Sequence, residues 1–466
     1  MHLVLILAVL VAMTLAEHAP TTPVDHPAWR LCIVLFGMLA MPGLAATLSA
    51  VVLRGIRRDV HSWATWLARF SLAQQAHAAL WLAFVAAVSY GLGWPQLVRE
   101  NWGLGRAILI DDLLILAPVY VPLLLSWAVY YEVDRMVEEL TIPDDSPEPR
   151  LPARWRYVLM HARHYLALVL VPLLFILGVH DVANLVAPEL ASGPQGWLIM
   201  AAPLALLIVA LPQLLTSLWK TERMAESPLR SRLEAALADC RIGVRDILVW
   251  KTERRMVNAA VSGLWSQMRY LFLTDGLLAR LNDEQVEAVL RHEAGHIARR
   301  HLLLRMLMLC LPIIAWCSLE QVAPQTLEAA SQALANAGLP VAWQSGIVAP
   351  LVVACYGIFG LGWYCKQLEF EADLYACGLL TQQNSVNSAQ TSVAFTAALM
   401  EITESSGADP RRDGWLHPSI ARRVAFISAS LERPRITAKF ERRLRWCVWL
   451  IVGGYALCLG AVALSF

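Results

Sequence analysis

Charge is scarce in this chain: Asp, Glu, Lys and Arg together supply 16% of the 466 residues, against 58% hydrophobic. With a mean hydropathy of +0.51, that balance departs from the soluble globular average and points to a membrane protein. Lysine is nearly absent, four of 38 basic residues, and the formal net charge is only +1. Nothing here makes a field that would attract nucleic acid or an acidic polymer. The nine cysteines include no CxxC pair, so neither a disulfide framework nor a cysteine zinc site is indicated. Six of them (Cys32, Cys310, Cys317, Cys355, Cys447 and Cys458) fall inside apolar runs, where a free cysteine acts as a small hydrophobe. No internal repeat is found.

What the chain has in abundance is apolar runs. A helix needs about 20 apolar residues to cross a bilayer. Runs near that length cover Leu31–Leu53, Ala73–Trp94, Ala107–Tyr131, Tyr165–Ala187, Trp197–Trp219, Leu302–Leu319, Val341–Trp363 and Trp446–Ser465. Eight spans are expected. The short run Leu3–Ala16, without a basic leader, is either a ninth span or a signal peptide. Arginines concentrate in the loops 54–72 (Arg54, Arg57, Arg58, Arg69) and 132–164 (Arg135, Arg150, Arg154, Arg156, Arg163). The intervening loops are poorer, so the basic loops are expected on the cytoplasmic side. By the same alternation the polar stretches 220–301 and 364–445 are cytoplasmic, and they alone can form a soluble domain. The expected organisation is therefore 1–164, a span region with the Pro-rich loop Ile142–Pro152; 165–219, two spans; 220–301, the first polar half; 302–363, two spans; 364–445, the second half; and 446–466, a last span. Asp111 and Asp112 near the start of a run are read as interfacial, one turn from Arg106, rather than as a functional intramembrane pair.

The polar halves carry the chemistry. Residues 282–300 begin with Asn282 and Gln285, spaced as a capping box, and continue with a Val286, Val289, Leu290 stripe. His292 and His296 then lie four residues apart on one helical face, where both imidazoles can reach one zinc ion. Glu293, about 100° around the helix, can act on a water rather than on the metal. Ala294 and Gly295 are small enough to admit a close neighbour. A zinc site of this kind needs a third protein ligand. Glu369 in Leu368-Glu369-Phe370-Glu371-Ala372-Asp373 is assigned that place. Asp373, on the same face, is expected to accept a ligand histidine's other N–H, and Glu371 points elsewhere. Further on, His417 and Arg423 are six apart. They could both face a cleft and stabilise an oxyanion, but spacing alone favours a loop histidine and a solvated arginine.

Taken together, His292-Glu293-Ala294-Gly295-His296, Glu369-Phe370-Glu371-Ala372-Asp373 and His417-Pro418 with Arg423 resemble the M48 family of integral-membrane zinc metallopeptidases, which includes Ste24-type CAAX proteases and HtpX-type proteases. Asn258-Ala259-Ala260-Val261-Ser262-Gly263 is similar to the family's Asn-Ala-x-x-x-Gly, and Tyr270-Leu271-Phe272-Leu273-Thr274 reads as a strand after it. The resemblance covers roughly residues 230–430. It implies a mainly α, polytopic membrane protein with a zincin-like peptidase domain containing a small β-sheet. It further implies one Zn2+ per chain on His292, His296 and Glu369, with Glu293 as general base and His417 and Arg423 assisting the transition state. The edge at Asn258, Ala259 and Gly263 would hold an extended substrate. Expected partners are a membrane-associated peptide or protein and the lipid bilayer, not nucleic acid. The expected location is a bacterial inner membrane with the site on the cytoplasmic side. Two alternatives stand beside this reading: a sensor-transducer peptidase of the M56 type, and a zinc-binding membrane scaffold that does not cut.

Overall fold

The structure, a computed structural model, describes all residues except 1, 142–150, 193–196, 255, 339–354, 381–387, 407–408 and 465–466. It divides into two compact units, Met1–Trp219 and Lys220–Phe466.

Among the described residues the first unit contains helices and no strand. Its main elements are α1 (His2–Glu17), α2 (Pro27–Arg58), α3 (Trp63–Ala86), α4 (Ala117–Thr141), α5 (Ala167–Val186) and α6 (Trp197–Leu218). Leu5, Ala8 and Ala12 of α1 pack into one apolar core with Val52 and Ile56 of α2, Trp81 and Val85 of α3 and Trp127 of α4. Small alanines at four-residue spacing let α1 approach its neighbours closely. Outward faces are equally apolar: Phe36 and Leu39 are 74% and 65% exposed. Such a surface is stable only against lipid or another protein. Asp111 and Asp112 are buried and paired with Arg99 at 2.9 and 3.3 Å, so Arg99 rather than Arg106 is their counter-charge.

Among the described residues six helical stretches are long and apolar enough to cross a membrane: Pro27–Arg58, Val60–Gly91, Arg154–Val186, Ala201–Leu218, His301–Val322 and Pro434–Leu464. Two expected spans are missing from these six. The run Ala107–Tyr131 is broken into a short helix, Ile110–Ile115, and α4. The second of these continues into Glu132, Asp134, Arg135, Glu138 and Glu139, which shortens its apolar part. Most of Val341–Trp363, like most of the Pro-rich loop Ile142–Pro152, lies outside the described residues.

The second unit opens on a four-stranded mixed sheet of β1 (Thr221–Arg223), β2 (Asp246–Trp250), β3 (Ala259–Ser262) and β4 (Tyr270–Thr274). The order is β1-β2-β4-β3, with β2 and β4 parallel and the outer pairs antiparallel. The strand read at 270–274 is there, and β3 lies at the sheet's edge. Leu271 and Leu273 alternate toward a core made with Leu233 and Leu237 of α7 (Pro228–Asp239) and Val286 and Leu290 of α8 (Asp283–Ala298). The chain leaves β3 through Gly263 at φ +126°, where an added Cβ would stand 2.5 Å from the Arg269 Cα. Gly263→Ala is therefore expected to cost about 1–3 kcal/mol of domain stability, seen as a lowered unfolding midpoint in detergent. An unchanged midpoint would mean that the turn relaxes without cost.

The remaining helices are α9 (His301–Val322), α10 (Gly362–Ala376), α11 (Ser388–Ser406), α12 (Ile420–Glu432) and α13 (Pro434–Leu464). α8 lies against both α10 and α11, and α9 against α13. Trp446 and Trp449 on α13 are 64% and 68% exposed, at the polar-to-apolar transition where tryptophan favours a membrane interface.

Candidate metallopeptidase site

α8 starts where its sequence says it should. The Asn282 side chain accepts from the Gln285 N–H and the Gln285 side chain accepts from the Asn282 N–H, at 2.9 Å each. This fixes the phase of the helix, so Val286, Val289 and Leu290 face the core and His292 and His296 share the opposite wall. Gly295 lets α10 come close: a Cβ there would lie 3.1 Å from the Tyr375 ring.

That close approach brings the three metal-ligating candidates together. One donor atom each from His292, His296 and Glu369 lies within 4.8 Å of the others. The two Nε2 atoms are 3.2 Å apart, and Glu369 Oε2 and Oε1 stand 3.7 and 3.5 Å from His292 and His296 respectively. Two imidazoles and a carboxylate converging on one point are the donor set a catalytic zinc takes, with a fourth position left for water. His292 stacks on Phe395 of α11, with centroids 5.4 Å apart.

Electrostatics follow from crowding these groups. Burial opposes charge on Glu369, yet its contacts with His292 and His417 hold it well below the usual carboxylate range. Burial likewise opposes charge on His292, but Asp373 and Glu369 overcome it and push the imidazole up to about 9. His296, desolvated and beside His292, is pushed down to about 2. The pair thus holds one positive charge, on His292, and a cation at the same point would displace the proton that carries it. Burial first, and then the Glu369 charge, lift Glu293 to about 7 against the pull of His292, Arg305 and His417. A carboxylate poised near neutrality suits proton transfer in both directions.

Asp373 is fully buried, with its Oδ1 3.0 Å from His292 Nδ1, though not in line for a strong hydrogen bond. Arg423 grips the same carboxylate through Nε and Nη2 at 2.9 and 2.5 Å. The guanidinium that spacing alone favoured as solvated is instead buried, engaged by Asp373 behind His292. His417, by contrast, is exposed, and its Nδ1 lies 2.9 Å from Glu369 Oε2. Its loop is tied down by Asp413, which accepts from the Ser419 N–H and pairs with Lys366 and Arg422, and by the Trp415 indole on the Ile358 carbonyl. Asn258 precedes the edge strand β3, exchanging hydrogen bonds with Thr274; Ala259 opens that strand, and Gly263 turns the chain out of it.

Three residues were not anticipated. Arg305 on α9 reaches Glu369 Oε1 at 2.8 Å, while its own Nε is buried with no partner among the described residues. It was visible in the sequence only as the one charge in an apolar run. His301 and Arg299 meet Glu371, whose direction away from the metal donors is thereby explained.

Comparison with known proteins agrees with this construction. Residues 226–431 match the model of peptidase family M48. A "Protease HtpX homolog" from Desulfotalea psychrophila is 23% identical over 198 residues, which cover 40% of this chain and 68% of that protein. "Protease HtpX" from Xanthomonas campestris pv. campestris is 23% identical over 222 residues, 45% of this chain and 73% of that one. The crystal structure of S. mikatae Ste24p superposes with a TM-score of 0.52 at 16% identity, covering 87% of this chain and 99% of the other, and this likeness speaks for the fold alone. The fold and site thus define a membrane metallopeptidase. Residues 226–431 form a domain that matches peptidase family M48.

Proposed function

We propose that this chain is a zinc metalloendopeptidase that hydrolyses peptide bonds of membrane-associated or cytoplasmic-face proteins. The reading is carried by one observation, the convergence of His292, His296 and Glu369 donor atoms within 4.8 Å beside a partly buried Glu293. One Zn2+ per chain fits these donors and, when bound, would supply Lewis acidity to the scissile carbonyl. Glu293 takes the proton of the attacking water and delivers it to the leaving amine. Asp373, held by Arg423, keeps His292 in place. His417, at the open side of Glu369, donates to the oxyanion as it develops. The free edge of β3, from Asn258 and Ala259 to Gly263, pairs with the backbone of an extended substrate, a mode in which main-chain hydrogen bonds give affinity. The basic loops around the spans support an orientation in a bacterial inner membrane with the site on the cytoplasmic side.

Zinc analysis of the purified full-length chain tests the metal assignment. Wild type is expected to hold about one zinc per chain, as a single three-ligand site requires. Glu369→Ala is expected to fall far below that. Full zinc in Glu369→Ala would remove it from the ligand set. Substrates are sought by comparing membrane proteomes of cells carrying wild type or Glu293→Gln, looking for fragments that vanish in the variant.

A further inference from the structure

Behind His296, on the side away from the three donors, lies a buried row of polar groups. His296 Nδ1 is 2.8 Å from His301 Nδ1, and His301 Nε2 is 3.0 Å from Glu371 Oε2. His301 is 0% exposed and Glu371 3%. The other Glu371 oxygen takes Nε and Nη2 of Arg299 at 2.6 and 2.5 Å.

Chain geometry makes this meeting specific. In an unbroken helix, a residue five places after His296 would sit about 140° around the axis and could not face it. Here α8 ends at Ala298 and Arg300 adopts a left-handed conformation, φ +56°. α9 therefore restarts at His301 in a new direction, which carries the imidazole back under His296. A left-handed arginine is an uncommon and unfavourable conformation.

Proton counting then decides the roles. Two ring nitrogens at 2.8 Å need one donor and one acceptor. Glu371, as a carboxylate, can only accept, so the His301 Nε2–H donates to it. Arg299 already balances that carboxylate, so a second positive charge on buried His301 has no counter-ion. A neutral His301 with its proton on Nε2 presents a bare Nδ1, which accepts the His296 Nδ1–H. His296 Nε2 is left with its lone pair directed at His292 and Glu369.

We infer that His301 and Glu371 form a relay that fixes His296 in the tautomer able to bind a metal, making both positioning residues rather than catalytic ones. This rests on the zinc-peptidase reading and extends it. Partners that orient a ligand histidine typically change metal affinity about 10–100-fold when removed.

The test uses the full-length chain in detergent, stripped of metal. It measures zinc affinity by chelator competition and the visible spectrum of the cobalt(II) form. His301→Phe and Glu371→Leu should each bind zinc about 10–100-fold more weakly and shift the cobalt bands. Glu371→Gln keeps an oxygen that can accept the His301 N–H, so it should lose distinctly less than Glu371→Leu. Zinc affinity within twofold of wild type and unchanged cobalt bands in folded His301→Phe would overturn the inference. Equal losses in the Gln and Leu variants would do the same, because packing alone would then explain them. Should His301→Phe not fold, the Glu371 pair decides. A wild-type chain that takes up no zinc would instead refute the underlying zinc reading, a separate and recognisable outcome.

Discussion

Glu293→Gln is expected to keep the wild-type zinc content and to lose peptide cleavage by roughly 10²–10⁴-fold, the usual contribution of a positioned general acid–base. Glutamine matches glutamate in shape, and Glu293 belongs to none of the donor contacts among His292, His296 and Glu369. The change therefore removes proton transfer and leaves the donors standing. Burial and the Glu369 charge already lift the Glu293 carboxyl to about 7, so it can take a proton and release it without a large driving force. Zinc analysis and cleavage of a reporter peptide, run on the same preparation, separate the two properties. Retained cleavage would assign the proton to another group. Loss of both zinc and cleavage would mean that Glu293 helps to hold the metal.

Arg423→Met should act differently. It is expected to lower the stability of the peptidase domain by about 3–5 kcal/mol, the range for removing one partner of a buried ion pair. Asp373 is fully buried and its carboxylate is clasped by the Arg423 guanidinium. Without that clasp the buried carboxylate keeps only His292, at 3.0 Å, to offset its charge. Zinc binding should weaken together with stability. The double variant Asp373→Asn/Arg423→Met should recover part of the stability, because no orphan charge remains. A variant with normal unfolding midpoint and zinc content but reduced kcat would instead place Arg423 at the transition state, the role that the family resemblance implies. His417→Ala, on the exposed side of Glu369, is the natural comparison for that role.

Local periodicity made much of the site legible. The capping box at Asn282 and Gln285 and the apolar stripe after it set the phase of α8, and the phase put His292 and His296 on one wall. The spacing of Glu369 and Asp373 said which acid shares a face with which. The six helices suited to a bilayer follow from length and composition. Readings failed where a residue's role depends on what lies across from it. Arg106 is nearer in sequence to Asp111 and Asp112 than Arg99 is, yet Arg99 carries the ion pairs. β1 is three polar residues and β2 only five residues long, so neither announces itself, and the pairing of β1 with β2 and of β2 with β4 makes them strands.

By itself, then, the sequence determined a membrane-spanning chain, the helix of the His292 motif and the three side chains that the fold brings within 4.8 Å of one another. These follow from hydropathy and a 3.6-residue repeat, which are properties of a segment alone. Tertiary structure decided which groups stand behind the donors: Arg423 behind Asp373, Arg305 at Glu369, and His301 with Glu371 behind His296. Those contacts join residues up to 70 positions apart. They depend on a left-handed turn at Arg300 and on the close approach of α10 at Gly295, and no local repeat encodes either.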